Sequence, residues 1–393
     1  MTASQEQNVK STTVDYPNEF KGFAVADPSK WNTPELISYQ PKNFGENDVD
    51  IEIECNGICY SDLSVVKNKW MNDDHSMKCH TSKYGPKAQI VGHEIVGKIV
   101  KLGSNVKDLK LGQRVGVGAQ CFACQKCDNC LNNNESYCLE YVGTYNGFYP
   151  DGYVSQGGYA SHVRCSESMV FPIPDALDSK YVAPLLCGGL TVFSPIKRNV
   201  ASVLAQGKTP NVGVIGIGGL GHMAIMIAKA LGCTVTAFSR SYSKKEDAVK
   251  MGADNFIATG DDKTEWGQYK QTFDVLVNCA SSTSALDLRT LLPTLKVNCN
   301  FVTVGLPSID EYLKFFPFDF LPNGCGFAAS KLGSKQEALE MLNLAVEKGF
   351  KPWVETLPIS AAGVSEGLTR LDKGDVKYRF TLVGYNEFFG TGK

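Results

Sequence analysis

The alternation of apolar and polar residues along the chain changes about halfway through it. Residues 49–55 (VDIEIEC) alternate as a half-buried strand does. Residues 90–103 (IVGHEIVGKIVKLG) are rich in valine and isoleucine with glycine breaks, which predicts strands with a bulge or a tight corner. The first half of the chain is therefore predicted to be rich in β-structure.

From about residue 184 the pattern indicates strands that alternate with helices. Residues 211–232 predict a strand, a glycine turn and a helix. The alternation continues in strands and helices predicted at 233–240, 243–252, 273–279, 284–295 and 300–305. Such a pattern predicts an α/β unit with a parallel sheet and helices on both of its faces.

After residue 352 the pattern becomes strand-like again, at 352–359 and 377–385. We expect these strands to return to the first unit. A chain of 393 residues is also too long for one ordinary core. We therefore predict two domains, one formed by residues 1–186 and completed by 352–393, the other formed by residues 187–351.

Composition narrows the function classes. Hydrophobic residues make up 43% of the chain and charged residues 20%, as in soluble globular proteins. The formal net charge of −2 gives no electrostatic reason to expect nucleic acid or an anionic membrane as a partner. No apolar run is long enough to span a bilayer, and the polar N-terminus lacks the apolar core of a secretion signal. We therefore expect a cytoplasmic protein.

The 14 cysteines need a separate explanation. In a reducing compartment thiols serve metal binding, catalysis or packing rather than disulfides. Packing is the better interpretation for five cysteines scattered among apolar neighbours: Cys55, Cys165, Cys233, Cys299 and Cys325.

A glycine turn carries the first candidate chemistry. Gly216, Gly218 and Gly221 form a G-x-G-x-x-G motif, with Gly219 inside it, directly after a predicted strand and before a predicted helix. The first glycine permits the tight turn, the second lets the backbone approach a pyrophosphate, and the third lets helix and strand pack closely. The N-terminus of the helix then offers free N–H groups to phosphates. This context predicts a dinucleotide site; a purely structural turn is the alternative.

The end of the next strand discriminates between the two nicotinamide cofactors. An acidic residue there would hold the ribose 2′-hydroxyl of NAD. Here the strand runs into Ser239 and Arg240, with Lys244 close behind. A hydroxyl, a guanidinium and an ammonium bind a 2′-phosphate, which a carboxylate would repel. The sequence therefore predicts NADP rather than NAD.

Five cysteines crowd into residues 121–138, which is not a packing pattern. Four thiolates at short spacing on a loop make a closed tetrahedral zinc site. An iron–sulfur cluster is the rival, but nothing else in the chain indicates electron transfer. The preferred ligands are Cys124, Cys127, Cys130 and Cys138, which leaves Cys121 spare. The protein would then fill all four positions around the metal, so the site would be structural.

A second set of ligands is spread along the chain. Cys59, His93 and Cys187 supply two thiolates and an imidazole, which suits a catalytic zinc ion with one open position. Taken singly, each of them has an ordinary interpretation as a core residue.

Together with their surroundings these residues resemble the zinc-dependent medium-chain alcohol dehydrogenases, and more closely the NADP-dependent cinnamyl alcohol dehydrogenase class in its broad-specificity fungal branch. The resemblance covers nearly the whole chain. It rests on motifs in the family's order: GICYSDL, GHEIVG, the four-cysteine loop, DGYVSQGGYASHV, APLLCGGLTVFSP, GIGGLG, SRSYSKKEDAVKMGAD and GDVKYRFTLV.

The resemblance implies a GroES-like first domain, a Rossmann second domain and usually a homodimer. It implies that Cys59, His93 and Cys187 hold catalytic zinc and that Glu94 enters its coordination sphere when water or substrate exchanges. It implies that Ser61 takes the alcohol proton and passes it through the cofactor ribose. The contacts it implies for NADP are made by Thr191, Ser239, Arg240, Lys244 and Arg379.

Two departures from the family stand out. The family has a histidine three positions after Ser61 that delivers the proton to solvent, whereas this chain has Ser64, a poor terminal base. Tyr60 is also unusual.

The segment between Cys59 and His93 is enlarged around residues 68–88, a loop that we expect at the mouth of the substrate site. Its candidate lining residues are Trp70 and Met71, and its candidate relay or metal-binding residues are His75, Cys79 and His80, although a solvated insertion is the preferred interpretation.

Three functions follow from these observations. The leading hypothesis is a zinc-dependent NADP(H)-linked oxidoreductase that interconverts primary alcohols and aldehydes, aromatic and aliphatic, and acts mainly as an aldehyde reductase. The second, which gives weight to Ser64, is a reductase of activated C=C or C=N bonds on the same scaffold. The third is a non-catalytic protein that binds zinc and NADP.

Overall fold

The computed structural model describes residues 19–69, 77–282, 286–307 and 311–390. The strands that it contains are β1 (Phe20–Ala24), β2 (Glu35–Tyr39), β3 (Asp48–Ile58), β4 (Ile95–Leu102), β5 (Arg114–Val117), β6 (Gln120–Phe122), β7 (Val142–Gly143), β8 (His162–Ser166), β9 (Val170–Pro172), β10 (Asn211–Ile215), β11 (Thr234–Ser239), β12 (Asn255–Ala258), β13 (Phe273–Asn278), β14 (Leu295–Thr303), β15 (Gly326–Ala329), β16 (Val354–Pro358) and β17 (Arg379–Val383).

The α-helices lie mostly in the second half of the chain. They are α1 (Tyr60–Val66), α2 (Asp128–Leu131), α3 (Ser179–Val182), α4 (Gly188–Ala205), α5 (Gly221–Ala230), α6 (Lys245–Lys250), α7 (Leu288–Leu291), α8 (Lys335–Lys348), α9 (Ala361–Asp372) and α10 (Tyr385–Phe389). Within the described ranges, no helix has both the length and the apolar character needed to cross a bilayer.

A six-stranded parallel sheet forms the second half of the molecule. Its order is β12-β11-β10-β13-β14-β15. Its central strands are mostly apolar because helices cover both faces, and β13 is buried along its whole length. The order reverses between β10 and β13, and ligands of such sheets bind in the crevice at that reversal. The predicted parallel sheet is confirmed, and the glycine turn that follows β10 lies at this crevice.

A seven-stranded sheet forms the first half, in the order β16-β17-β3-β4-β5-β9, with β8 paired to β3. The long strand β3 is its centre and pairs antiparallel with β4, β8 and β17. Its register against β4 shifts twice, after Asp50 and after Ile53, and such bulges bend a strand. Of the strands after residue 352, β17 pairs with β3 and β16 pairs with β17, so both join the first sheet, although the chosen domain boundaries stay a prediction.

One local prediction needs correction, and another is confirmed. The helix predicted over 284–295 is only the single turn α7, because Asp287 caps it by accepting a hydrogen bond from the Arg289 N–H and a 3₁₀ turn that contains Pro293 ends it. Residues 283–285 lie outside the described residues. The tight corner predicted within residues 90–103 is present: Gly92 has a φ of +101°, and the strand β4 follows from Ile95.

One apolar cluster joins the two sheets, beside the core that the first sheet forms on its own. Cys55 and Val96 of the first sheet pack in the same cluster as Leu190 of α4 and Val212 of β10. This shared cluster brings the end of β3 close to the start of α4, and the candidate site lies there.

Candidate active site

The four ligands predicted near the catalytic centre meet at one point. The donor atoms of Cys59, His93, Glu94 and Cys187 all lie within 4.8 Å of one another, and all four residues are buried. Two thiols, an imidazole and a carboxylate form a donor set that suits zinc. These residues therefore fit the ion that the sequence predicts.

One buried carboxylate joins the two segments that carry Cys59 and His93. Cys59 follows β3 and caps α1, and its backbone N–H donates to Asp62 Oδ2 at 2.9 Å. The N–H of Gly92, next to His93, donates to Asp62 Oδ1 at 3.2 Å. The hydroxyl of Tyr159 donates to Oδ2 at 2.8 Å. Asp62 was missed from the sequence because its partners are distant in the chain.

Cys187 reaches the cluster from the other sheet. It precedes α4, and its carbonyl oxygen accepts a hydrogen bond from the Thr191 N–H at 2.8 Å. A thiol at the N-terminus of a long helix lies at the positive end of the helix dipole, which stabilises a thiolate, although the contact with Cys59 raises the pKa of Cys187.

His93 and Glu94 each carry a buried polar atom that has no hydrogen-bond partner among the described residues, namely Nε2 and Oε2. Donor atoms that bind a metal ion are left without a hydrogen-bond partner from the protein in this way. The other carboxylate oxygen of Glu94 accepts from the guanidinium of Arg379. A Cβ at Gly57 would lie 2.0 Å from Glu94 Oε2, so only glycine leaves room for this carboxylate.

The pKa values of the four donor groups are shifted because the groups are buried close together. The pKa of the Cys59 thiol is lowered well below its usual value, mainly because the Cys187 thiol donates to its thiolate, and the same contact raises the pKa of Cys187. Burial raises the pKa of Glu94 to about 8, although Arg379 opposes this shift. Burial lowers the pKa of His93, but the Cys59 thiolate outweighs it and raises that pKa to about 9.

The cysteine-rich loop forms a second cluster, in which Cys124, Cys127, Cys130 and Cys138 offer sulfurs within 4.8 Å of one another. The Sγ atoms of Cys127 and Cys130 are 3.6 Å apart, and those of Cys124 and Cys130 are 3.9 Å apart. Sulfurs bound tetrahedrally at ~2.3 Å from one zinc ion would stand about 3.8 Å apart. The spacing therefore fits a single ion better than an iron–sulfur cluster, whose several ions would separate the sulfurs further.

Cys121 lies outside that cluster. Its buried thiol contacts the Tyr149 hydroxyl at 3.0 Å and the Gly143 carbonyl oxygen at 3.2 Å. Burial raises its pKa to about 12, which disfavours the thiolate that a metal needs. The geometry thus separates the spare cysteine from the other four.

The glycine turn has the shape expected of a phosphate-binding loop. Gly216 has a φ of +86°, in the region that favours glycine. A Cβ at Gly218 would have no atom within 4 Å, so this backbone faces open space that a pyrophosphate can occupy. A Cβ at Gly221 would lie 1.8 Å from the Gly216 carbonyl oxygen, so close packing of strand and helix requires glycine here.

His222 holds this loop in a way that the sequence did not indicate. Its Nδ1 lies 3.2 Å from the Gly218 carbonyl oxygen, and its Nε2 accepts the Trp353 N–H at 3.3 Å. Burial lowers the pKa of His222 to about 3, so the ring is neutral and Nδ1 is the donor. His222 therefore ties the glycine turn to the segment before β16.

The predicted cofactor contacts surround the same turn. Ser239 ends β11, and Lys244 Nζ donates to the Ile217 carbonyl oxygen at 2.6 Å. Arg240 is exposed beside Ser239. A Cβ at Gly219 would lie 3.3 Å from Arg379 Nη1, so Arg379 borders both the glycine turn and Glu94.

The residues around Ser64, the unusual relay position, make few hydrogen bonds among the described residues. Ser61 Oγ lies 3.6 Å from Cys59 Sγ. Ser64 is buried, and its hydroxyl has no hydrogen-bond partner within the part of the chain that the structure describes. Tyr60 is partly exposed, and Lys69 Nζ lies 5.6 Å from the centre of its ring.

The enlarged loop is not simply a solvated insertion. Met77 and Cys79 are buried in the core of the first sheet, and burial raises the pKa of Cys79 to about 11. His80 Nε2 contacts the Ala26 carbonyl oxygen at 2.8 Å. Neither Cys79 nor His80 belongs to a metal-type cluster among the described residues. The other candidates, Trp70, Met71 and His75, lie outside the described residues.

Comparison with known families agrees with this geometry. Residues 45–175 match the family described as alcohol dehydrogenase GroES-like domain, and residues 219–347 match the family described as zinc-binding dehydrogenase. The chain is 46% identical over 378 residues to NADP-dependent alcohol dehydrogenase 6 of Saccharomyces cerevisiae, which covers 96% of this chain and 99% of the yeast protein. The chain belongs to the zinc-binding medium-chain alcohol dehydrogenase family.

Further relatives place this alcohol dehydrogenase in the cinnamyl alcohol dehydrogenase-like class. It is 36% identical to probable cinnamyl alcohol dehydrogenase 3 of Oryza sativa subsp. japonica, over 92% of each chain. The structure of cinnamyl alcohol dehydrogenase SbCAD4 from Sorghum bicolor superposes with a TM-score of 0.81 at 32% identity, covering 93% of this chain and 97% of that one. The GroES-like and Rossmann folds implied by the resemblance are confirmed.

Proposed function

We propose that this alcohol dehydrogenase is a zinc-dependent, NADP(H)-linked enzyme that interconverts primary alcohols and aldehydes, aromatic ones included, mainly as an aldehyde reductase. The observation that carries the proposal is the meeting of Cys59, His93, Glu94 and Cys187 next to a dinucleotide-type glycine turn. The yeast and rice relatives, an NADP-dependent alcohol dehydrogenase and a probable cinnamyl alcohol dehydrogenase, support the same chemistry.

In this proposal Cys59, His93 and Cys187 hold the catalytic ion. Zinc and NADPH, when bound, supply a Lewis acid for the carbonyl oxygen and a hydride for the carbonyl carbon. Three protein ligands leave one position for the substrate oxygen. Glu94 Oε2, buried and without a hydrogen-bond partner among the described residues, is the carboxylate oxygen that would be available to such an ion during substrate exchange. Ser61, two residues after Cys59, is the hydroxyl proposed to take the alcohol proton.

Preference for NADP(H) is attributed to three side chains at the end of β11. Ser239 leaves room for a 2′-phosphate, and Arg240 and Lys244 supply positive charge. Thr191 and Arg379 are proposed to contact the rest of the cofactor. Because Arg379 now binds Glu94, an anionic pyrophosphate would compete with Glu94 for the guanidinium.

A substrate panel tests the function directly. With purified zinc-loaded protein, we expect NADPH oxidation with cinnamaldehyde, benzaldehyde and medium-chain aliphatic aldehydes, and at least tenfold lower kcat/KM with NADH, since roughly 1.4 kcal/mol from the phosphate contacts gives a factor of ten. The absorbance of the reduced nicotinamide measures the rates with NADPH and with NADH. No turnover across the panel with either cofactor would contradict the proposal.

A second candidate, reduction of activated C=C or C=N bonds, is favoured by one observation. Ser64 stands where the family places its solvent-facing histidine, yet its hydroxyl is buried and unpartnered among the described residues. Such a hydroxyl gives the alcohol proton no evident route to water. Because reduction of a C=C bond does not pass through an alkoxide, that reaction does not need this route.

Replacing Ser64 with histidine separates the two candidates. If the chain is an alcohol dehydrogenase with a weakened relay, S64H should raise alcohol oxidation at neutral pH by roughly tenfold, part of the ~10²–10⁴ that a positioned acid or base contributes. Reduction of an enal C=C bond in the same preparation serves as the internal reference. A folded, two-zinc S64H protein with no gain in alcohol oxidation would argue against the relay explanation.

The remaining proposals concern the second metal, assembly and location. Cys124, Cys127, Cys130 and Cys138 are proposed to hold a structural zinc ion.

A homodimer is proposed through the edge strand β15, because the preceding segment exposes large apolar side chains, including Tyr312, Phe316, Phe318 and Leu321. A cytoplasmic location is proposed because six thiols in two metal-type clusters must stay reduced.

A further inference from the structure

Tyr378 lies where the first sheet meets the glycine turn. It directly precedes β17, and it is buried. Its ring is stacked on the His222 imidazole, with 5.2 Å between ring centres and an interplanar angle of 19°, and it meets the Trp353 ring edge-on at 5.7 Å. A Cβ at Gly219 would lie 3.5 Å from its carbonyl oxygen. Tyr378 is therefore packed against the glycine turn and against the histidine that holds this turn.

Lys244, the predicted contact of the 2′-phosphate, lies close to the same ring. Its Nζ is 5.5 Å from the centre of the Tyr378 ring, and it donates to the Ile217 carbonyl oxygen at 2.6 Å. The face of an aromatic ring attracts a cation without neutralising it. Because its hydrogen bond goes to a neutral backbone acceptor, the positive charge of Lys244 stays available to a phosphate.

Asp247 is a carboxylate in a position to neutralise Lys244. It follows Lys244 by three residues, near the start of α6, and charged residues at this spacing on one side of a helix can pair. The two charges already interact, since Asp247 opposes the lowering of the Lys244 pKa that burial and Arg240 cause. A carboxylate bound to this ammonium would take the charge that a 2′-phosphate needs.

Asp247 binds two residues before β17 instead. The Tyr378 hydroxyl donates to Asp247 Oδ2 at 2.7 Å, and Lys377 Nζ lies 3.1 Å from the same oxygen. Burial favours a higher pKa for Asp247, but these two contacts outweigh it and lower that pKa, so the carboxylate is charged. The Lys377 side chain is largely exposed, whereas Tyr378 is buried, so the tyrosine is the more rigidly held partner.

We propose that Tyr378 is a positioning residue for the preference for NADP(H): its hydroxyl holds Asp247 away from Lys244, so that the ammonium stays free for the 2′-phosphate. The inference rests on the proposed contact between Lys244 and this phosphate and adds the residue that keeps the contact available. NADH has no 2′-phosphate, so its binding does not require a free Lys244. Tyr378 therefore affects the choice between the two cofactors.

The test is a double-mutant cycle of Tyr378→Phe and Asp247→Asn, in which fluorescence titration gives the Kd for NADPH and for NADH. Phenylalanine keeps the packed ring and removes only the hydroxyl. We expect Y378F to bind NADPH roughly tenfold more weakly, as for loss of one charge-assisted hydrogen bond, and NADH with a Kd changed by less than about twofold. In the double variant the released side chain is uncharged, so its Kd for NADPH should return to within about twofold of the D247N value.

Tyr153→Phe and Lys377→Met are the controls. The Tyr153 hydroxyl donates to the Gln40 carbonyl oxygen at 2.7 Å in the core of the first sheet, so Y153F should leave both dissociation constants unchanged. K377M removes the exposed partner of Asp247 while Tyr378 still holds the carboxylate. Because exposed ion pairs contribute little, K377M should weaken NADPH binding by less than about threefold. A loss in K377M as large as that in Y378F would mean that local charge, not the position of Asp247, sets the affinity.

Four results would overturn the inference. They are an unchanged Kd for NADPH in Y378F, an equal loss for NADPH and NADH, a loss that D247N does not relieve, and a Y378F protein that does not fold, since the hydroxyl would then serve the fold rather than the choice of cofactor. Binding is measured without an aldehyde. If the expected pattern of binding appears but no aldehyde is reduced, the proposed function fails and this inference stands.

Discussion

Replacing Cys59 with serine should remove one of two zinc ions and lower aldehyde reduction by about 10³-fold or more, since Lewis-acid polarisation supplies several kcal/mol and each 1.4 kcal/mol is tenfold. A serine hydroxyl does not replace a thiolate as a zinc ligand at neutral pH, and the cluster would keep only one thiol, in Cys187. Metal analysis by mass spectrometry and steady-state kinetics with NADPH measure the two effects.

Cys55→Ser is the matched control. Cys55 lies four residues earlier, near the end of β3, and is buried among apolar side chains away from both metal-type clusters. C55S should lose stability by roughly 1–3 kcal/mol, because a buried hydroxyl replaces an apolar thiol, but should keep two zinc ions and normal kinetics. If C59S kept both ions and its activity, Cys59 would not be a ligand and the proposed mechanism would fail.

The contrast between Cys55 and Cys59 shows why the catalytic cluster is hard to find from residue patterns. Both are buried cysteines near apolar neighbours, and their spacing distinguishes neither. The difference is that β3 ends at Ile58, so Cys59 caps a helix that faces the start of α4. That arrangement depends on the packing of two sheets, which local sequence does not encode. Only the resemblance to a family linked Cys59 with His93 and Cys187 in advance.

Features set by local geometry were predicted more fully. The strand, glycine turn and helix of residues 211–232 follow from neighbouring residues, and the structure has them at β10 and α5. The four preferred loop cysteines were also named correctly as a set, although spacing alone does not exclude Cys121, and the contact of Cys121 with Tyr149 gives the physical reason that it lies apart.

Residues whose roles depend on long-range partners were missed. Asp62 acquires its role from Gly92 and Tyr159, and His222 acquires its role from Trp353. The helix predicted over 284–295 failed for the opposite reason, since local breakers outweighed the apolar pattern: Pro293 ends the turn and Asp287 caps it late. Polar residues buried by tertiary contacts are thus the least visible part of this site in the sequence.

Placing an aspartate at Ser239 should reverse the cofactor preference. We expect S239D to weaken NADPH binding by about 100-fold, because a carboxylate facing a phosphate costs several kcal/mol. We also expect it to improve the use of NADH, because the carboxylate can accept hydrogen bonds from the ribose hydroxyls of NADH. Fluorescence titration gives the two dissociation constants, and kcat/KM with each cofactor gives the ratio.

Ser241→Asp tests whether position rather than added charge is responsible. Ser241 is two residues further on, exposed, and paired through its hydroxyl with Ser243 at 3.0 Å. A general electrostatic effect would weaken NADPH binding similarly in both variants, and more so at low ionic strength, because exposed charges are screened by salt. A direct contact between residue 239 and the 2′-phosphate predicts a large loss in S239D alone that persists at high salt. Equal losses in the two variants would remove Ser239 from the cofactor site and leave Arg240 and Lys244 as the source of the preference.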